Sequence, residues 1–320
     1  MANRISYLVT NIFRIRPEDK VPASVAKNFR HNAIINTLDI SFFFMSDSFW
    51  NINTIMPVFA ATLTDNPFII GLMPAIVNAG WFLPQMFLAS RVTHTRKILP
   101  LSIRLGVAER IPYVFFPFLA LAIPNIGKST ALILLILLTT WRGIAGGMSA
   151  LPWQEVMARV IPISHRGRFF GFSRVFGQGA GILGSVITGL ILANLSYPRN
   201  YALGFAVAVI IQWLSFVSYI QNREPEPEQV IQSALDPEPP KAKKSAIDFS
   251  MFGRILKKDA NFRLYLIARS ISFIGNMATA FIAVYAIKTF NLPDEQAAIF
   301  TGVILASGVL GYAFWGAVGD

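Results

Sequence analysis

Residues 141–190 read WRGIAGGMSALPWQEVMARVIPISHRGRFFGFSRVFGQGAGILGSVITGL, two glycine-rich apolar runs on either side of a short, arginine-studded turn. The first run begins upstream at Ala131 and continues to about Val156. The second starts near Phe169 and carries Gly177, Gly181, Gly184 and Gly189. Each is long enough to cross about 30 Å of hydrocarbon at about 1.5 Å per helical residue. Between them Pro162 and Gly167 break the helix, and Arg159, Arg166 and Arg168 put positive charge where a cytoplasmic turn carries it. Glycines three or four apart let a second backbone approach closely. The stretch therefore reads as two tightly packed, mutually sliding membrane helices joined by a cytoplasmic hinge.

The rest of the chain has the same character. Of its 320 residues 54% are hydrophobic and 14% charged, and the mean hydropathy of +0.52 is too high for a soluble domain of this size. Eight apolar stretches, at roughly 34–62, 68–90, 98–123, 130–157, 169–193, 201–221, 263–289 and 297–319, match helical spans. Their connections alternate in charge. Residues 1–33 hold six Lys and Arg, 91–97 three, 159–168 three and 223–263 eight, twenty in all, whereas the other loops hold only Lys128, Arg199 and Lys288. This asymmetry predicts a multi-pass protein of the plasma (cytoplasmic) membrane with its N-terminus in the cytoplasm. It also accounts for the net charge of +11 without a nucleic-acid partner.

Several chemistries are disfavoured. With no cysteine there is no thiolate site, and His31, His94 and His165 fall in separate predicted loops without a carboxylate ligand set, so neither metal nor cofactor is expected. Residues 122–129 (AIPNIGKS) satisfy a loosened phosphate-loop pattern, but a membrane helix rather than a strand precedes them. No Ser/His/Asp arrangement accompanies them, and no enzyme is expected. Residues 1–33 form a basic tail, in which Ile5, Leu8, Val9 and Ile12 recur at the spacing of an interfacial helix. Residues 222–262, with REPEPEPEQ and DPEPPKAKKS, read as a cytoplasmic linker between a six-helix domain (34–221) and a further one (263–320).

An internal repeat crosses that linker. Asn28-Phe29-Arg30 opens the first span and Asn261-Phe262-Arg263 the seventh; Gly80-Trp81 in the second span matches Gly311-Tyr312 in the eighth. Six spans, a long linker and a restarting repeat resemble the major facilitator superfamily of secondary transporters. Gly316-Ala-Val-Gly-Asp320 resembles the opening of that family's Gly-x-x-x-Asp-Arg-x-Gly-Arg-Arg signature. The first-half counterpart keeps Arg91, Arg96 and Lys97 but has Ala89 or Ser90 in place of the aspartate. The Arg166-Gly167-Arg168 turn also resembles the family, whereas the antiporter Gly-Pro signature is replaced by GQGAGILGS. The resemblance implies an all-α membrane protein: a six-helix N-terminal bundle plus the first two helices of a second, C-terminally truncated, monomeric when full length. It further implies secondary active transport of a small solute by alternating access, coupled to an ion. The alternative is a non-transporting protein of the same fold, such as an assembly or pigment-delivery factor or a receptor.

Charged groups at bilayer depth cost roughly 2.5–3.5 kcal/mol on insertion scales, so they form the functional shortlist. On the first span Asp39, Phe43, Ser46 or Asp47, Trp50 and Thr54 recur along one polar-aromatic stripe, with Asn51 and Asn53 beside it; Asp47 falls near the midplane as a proton or cation site, Trp50 is a cavity wall and Asn53 joins the path. Asp39, two turns nearer the cytoplasm, reads as interfacial. Arg104, Glu109 and Arg110 come from the third span and Arg142 from the fourth, where it either receives an anionic substrate group or neutralises Asp47. Glu109 and Arg110 are adjacent, about 100° apart on a helix, and are not expected to point the same way. Glu155, Arg174 and Arg269 are expected to snorkel, and Trp81, Trp141, Trp153 and Trp213 to anchor at the interface. Arg91, Arg96, Lys97, Arg166, Gly167, Arg168, Gly316 and Asp320 are expected at a cytoplasmic gate.

Overall fold

The structure, a computed structural model, describes residues 15, 19, 21–93, 95–225, 256–276 and 278–318. The tail helix over Ile5–Ile12, most of the linker and Asp320 lie outside them. Among the described residues ten α-helices follow in order: α1 (Ala23–Asp47), α2 (Ile55–Leu63), α3 (Pro67–Thr93), α4 (Leu99–Ile126), α5 (Lys128–Val160), α6 (Arg166–Asn194), α7 (Arg199–Tyr219), α8 (Ala260–Asn276), α9 (Thr279–Phe290) and α10 (Gln296–Val318). Among the described residues five helical segments are, by length and composition, apolar enough to cross a membrane: Pro67–Ala89, Leu99–Ile126, Lys128–Val160, Ile163–Asn194 and Arg199–Tyr219. Phe281–Phe290 and Gln296–Tyr312 are shorter apolar helices.

The stretches expected as the first and seventh spans are each broken. The first divides at Ser48–Thr54, where Asn51 turns the chain: its Oδ1 accepts from the Asn53 amide at 3.1 Å and from Thr54 Oγ1 at 3.2 Å, while its carbonyl accepts from Met56 N at 3.0 Å. A break at membrane depth is tolerable because such side chains satisfy the freed backbone. Pro74, Pro84, Pro112, Pro117 and Pro152 lie inside continuous helices, whereas Pro162 does coincide with the end of α5.

Neighbouring helices pack in the order α3, α5, α4, α7, α1, α6, α10. The two glycine-rich helices do not pack on one another as expected. Gly143 and Gly147 of α5 face α3, where a methyl on Gly143 would meet Val77 Cα at 3.1 Å and one on Gly147 would collide with the Gly80 carbonyl. Gly177 and Gly184 of α6 instead receive Ile40, Phe44 and Met45 of α1. Small residues thus set close backbone contact on two different seams.

Along the bundle axis two apolar clusters lie on either side of a polar layer supplied by α1, α4, α5 and α7. One apolar cluster gathers Phe49, Trp50, Phe59, Phe116, Leu135 and Phe205; the other gathers Phe29, Ile98, Val156, Val160, Phe169 and Phe216. Between them lies a buried polar belt of Asp39, Glu109, Arg110, Arg142, Gln212 and Ser215. Outward side chains such as Phe87, Leu137 and Ile210 are exposed, the surface expected of helices solvated by acyl chains.

α10 runs antiparallel along α6, with Gln178 against Gly308, Gly181 against Leu305, Ser185 against Gly302 and Gly189 against Ala298. Beyond this seam Thr54 and Thr301 hydroxyls meet at 2.5 Å, Tyr201 donates to Asp294 at 2.9 Å and Lys288 to Asp65 at 2.7 Å. The Lys288 ammonium holds the Asp65 carboxyl below the usual carboxylate range. Burial pushes Asp294 up, against the opposing pull of the Tyr201 hydrogen bond. At the other end, which carries the basic turns, α8 leaves Leu264, Tyr265, Ile267 and Ile271 exposed.

Candidate functional site

Asp47 closes α1 and Arg142 lies in mid-α5, so the end of one apolar run and the middle of another bring opposite charges face to face. Arg142 Nη2 is 3.4 Å from Asp47 Oδ1, and Asp47 Oδ2 accepts from Asn51 Nδ2 at 3.1 Å. Arg142 Nε donates to the Tyr113 hydroxyl at 2.7 Å, and its guanidinium lies 5.1 Å from the Tyr113 ring centroid and 6.0 Å from that of Trp50. Its Nη1 is buried without a hydrogen-bond partner. A long pair with an unspent N–H differs from the short, fully satisfied geometry that a purely structural buried ion pair requires.

One helical turn and more toward the basic end, a cavity of about 310 Å³ opens among α1, α3, α4, α5, α6 and α7. Asp39 and Glu109 supply its carboxylates. Asp39 is 5% exposed and accepts from Ser215 Oγ at 2.6 Å and Trp153 Nε1 at 3.3 Å, so it is buried, not interfacial. Glu109 accepts from Ser149 Oγ, and Arg110 Nη1 stands 3.7 Å from Glu109 Oε2. Both residues line the cavity despite their adjacency, because two long side chains converge from backbone positions that diverge. Arg110 spends its N–H groups on the Gly106 carbonyl at 3.0 Å and the Gln212 carbonyl at 3.4 Å, over the Phe216 ring. Trp81 and Trp153, expected as interface anchors, are cavity walls, whereas Trp141 is exposed.

Other expected residues stand elsewhere. Trp50, expected as a cavity wall, is 2% exposed and packs on Tyr113 with ring centroids 4.1 Å apart. Arg104 is exposed on α4, where the helix turns it away from the polar belt. Asn53 is half-buried in the α1–α2 break.

At the basic end Arg159 is the hub. It pairs with Glu155 at 2.9 Å and Glu224 at 2.8 Å, and donates to the carbonyls of Arg96 at 2.7 Å and Thr95 at 3.0 Å. Glu155 is thus paired rather than snorkelling. Glu224, inside the expected free linker, also accepts from the amides of Ile98 at 3.0 Å and Leu99 at 3.1 Å, capping the start of α4. Arg166 donates to the Ile161 carbonyl at 3.2 Å, satisfying the end of α5. Arg96, Lys97, Gly167 and Arg168 are exposed; Gly316 lies in α10, and the Arg91 side chain and Asp320 are outside the described set. Tyr113, Gln212, Ser215 and Tyr219 escaped sequence reasoning. Their signal is that each is a polar group inside an apolar run.

The sequence family described as Major Facilitator Superfamily matches residues 38–320. Among solved structures the chain resembles one described as the crystal structure of D-xylose-proton symporter, at 13% identity and a TM-score of 0.58, covering 88% of this chain and 66% of that one. No curated protein matches the chain. Such low identity carries the fold alone, but the family match spans most of the sequence and agrees with the multi-span helical architecture. The chain therefore belongs to the Major Facilitator Superfamily, a class of membrane transporters without catalytic chemistry.

Proposed function

We propose that the chain carries out secondary active transport of a small solute by alternating access, coupled to an ion, with Asp47 as the coupling site. The observation that carries this reading is the pair between half-buried Asp47 of α1 and buried Arg142 of α5, held at 3.4 Å with Arg142 Nη1 unspent. A proton or cation arriving at Asp47 releases Arg142 to its remaining partners, Tyr113 and a substrate oxygen. The two rearrangements are then linked through one guanidinium. The fold likeness to a proton symporter accords with a proton as the coupling ion.

On this reading residues 34–221 form a six-helix domain, 222–262 a cytoplasmic linker and 263–320 the start of a second domain, with eight crossings when each broken stretch counts as one. The loop charge asymmetry supports a cytoplasmic N-terminus in the plasma membrane. The turns around Arg96 and Arg166 then lie at the cytoplasmic gate. Asp47→Asn tests the assignment in proteoliposomes under an imposed ion gradient, with a panel of small solutes. Accumulation is expected to vanish while membrane insertion and solute exchange at equilibrium persist. Unchanged accumulation removes Asp47 from the mechanism, and absence of transport by the unaltered chain together with a co-purifying partner establishes the assembly-factor reading instead.

A further inference from the structure

The outer side of the α6–α10 seam is hollow. A trough of about 500 Å³ runs between the two helices, with Gly189 against Ala298 and Ser185 against Gly302 as its floor. Val186, Leu190, Ile299 and Val303 form its edges and are each more than half exposed, whereas Gln178 of α6 and Thr301 of α10 are buried. Phe170 and Arg174, which line the cavity beside Asp39, stand on another face of α6. The trough therefore opens outward, toward the acyl chains that solvate the bundle.

Its lining is aliphatic apart from two residues. Ser185 spends its hydroxyl on the Ile182 carbonyl at 2.8 Å, which leaves Glu295 as the ionisable residue of the lining, at the trough's mouth. Glu295 directly precedes α10, at the end of the bundle opposite the basic turns, and is half-buried. Among the described residues its carboxylate has neither a cation nor a hydrogen-bond donor beside it. Asp294 next to it is held by the Tyr201 hydroxyl, and Lys288 by Asp65. From Glu295 to Ala306, at the far end of the lining, the helix rises about 16 Å at about 1.5 Å per residue, the depth of one leaflet in a hydrocarbon core about 30 Å thick. One acyl chain thus fits along the trough with its headgroup at Glu295. Charge then selects the headgroup. An unpaired carboxylate repels an anionic lipid and is answered best by a primary ammonium, whose N–H groups make charge-assisted hydrogen bonds. A choline has no N–H to give and is held by aromatic faces, which the lining lacks. We infer that this trough is a site for a phospholipid with a primary-ammonium headgroup, of the phosphatidylethanolamine class, from the leaflet away from the basic turns. The site operates without transport and stands apart from coupling at Asp47.

The full chain is placed in nanodiscs holding equal parts of phosphatidylethanolamine, phosphatidylcholine and phosphatidylglycerol with identical acyl chains. Native mass spectrometry after release counts the lipids that stay bound. One phosphatidylethanolamine is expected to be retained, at least about ten-fold over each of the other two; about ten-fold corresponds to 1.4 kcal/mol. Glu295→Gln should keep a lipid but lose the headgroup preference, and Glu295→Lys should turn the preference to phosphatidylglycerol. Ala306→Phe, which fills the trough, should remove retention while leaving Glu295 in place. Equal retention of the three lipids, preference for another, or an unchanged preference in Glu295→Gln overturns the assignment. So does a chain that holds no lipid and cross-links to a second copy through Val303→Cys, which gives the trough to a protein partner. If Ala306→Phe fails to fold, the two Glu295 variants still decide.

Discussion

Glu224 shows how one residue can be misread when composition is averaged over a window. The surrounding REPEPEPEQ forbids a packed core, yet this first glutamate caps α4 and pairs with Arg159. Nearby, Asn222 exchanges side-chain hydrogen bonds with Asn36 at 2.6 and 3.0 Å, and the Arg223 amide donates to Asn32 at 2.9 Å. The chain leaving α7 is therefore tied to α1 before the linker begins. Glu224→Ala is expected to destabilise the protein by about 1–2 kcal/mol, through loss of a cap and a charge-assisted bond. Glu224→Gln, which keeps an acceptor, should cost less; thermal melting in detergent separates the two, and equal melting of all three proteins removes the clamp. Asp47 and Arg142 were legible as intramembrane charges. Asp39 was misplaced because depth along a helix was counted from an assumed entry point, while α1 begins eleven residues before the expected span, at Ala23.

At the scale of elements, glycine spacing disclosed close-packed faces but not their partners, since a smooth stripe says that a backbone comes near and not which one. Gly147 and Gly167 make the contrast testable. A side chain at Gly147 runs into the Gly80 and Trp81 backbone, whereas one at Gly167 meets nothing within 4 Å. Gly147→Val is expected to cost about 1–3 kcal/mol or more by forcing α3 and α5 apart. Gly167→Ala, in the first turn of α6, should be neutral or stabilising by up to about 1 kcal/mol. A chemical-denaturation midpoint for each variant checks the pair. The break at Ser48–Thr54 was not legible either: Asp47, Trp50 and Thr54 fit a continuous helical stripe, and only the hydrogen bonds of Asn51 reveal the turn.

Across the whole molecule, the all-α membrane class and the family could be read from hydropathy, charge alternation and the repeat. The seam between upstream and downstream helices could not, because its polar contacts join residues 93 to 247 apart through single hydroxyls and one ion pair. Thr54 and Thr301 are close enough for a disulfide when both are changed to Cys, against a background of no native cysteine. After cleavage at a protease site inserted within residues 230–240, the two fragments should remain linked under oxidation and part on reduction. Fragments that separate regardless place the seam elsewhere. The Asp65–Lys288 pair has a defined pH window. Because Asp65 is held below its ordinary value near 4, its contribution to the closed seam is full above that value and is lost only as pH falls through the lowered one. Spin labels at Phe68→Cys and Phe290→Cys, both exposed positions, should keep one distance from pH 7 to 5 and broaden in high salt, which screens the pair.

The antiparallel ridge of α6 on α10 has, in mechanical terms, the low relief of a bearing. Gly181, Gly189 and Gly302 place no large side chain of their own across it, so one helix can shift on the other with little interlocking to undo.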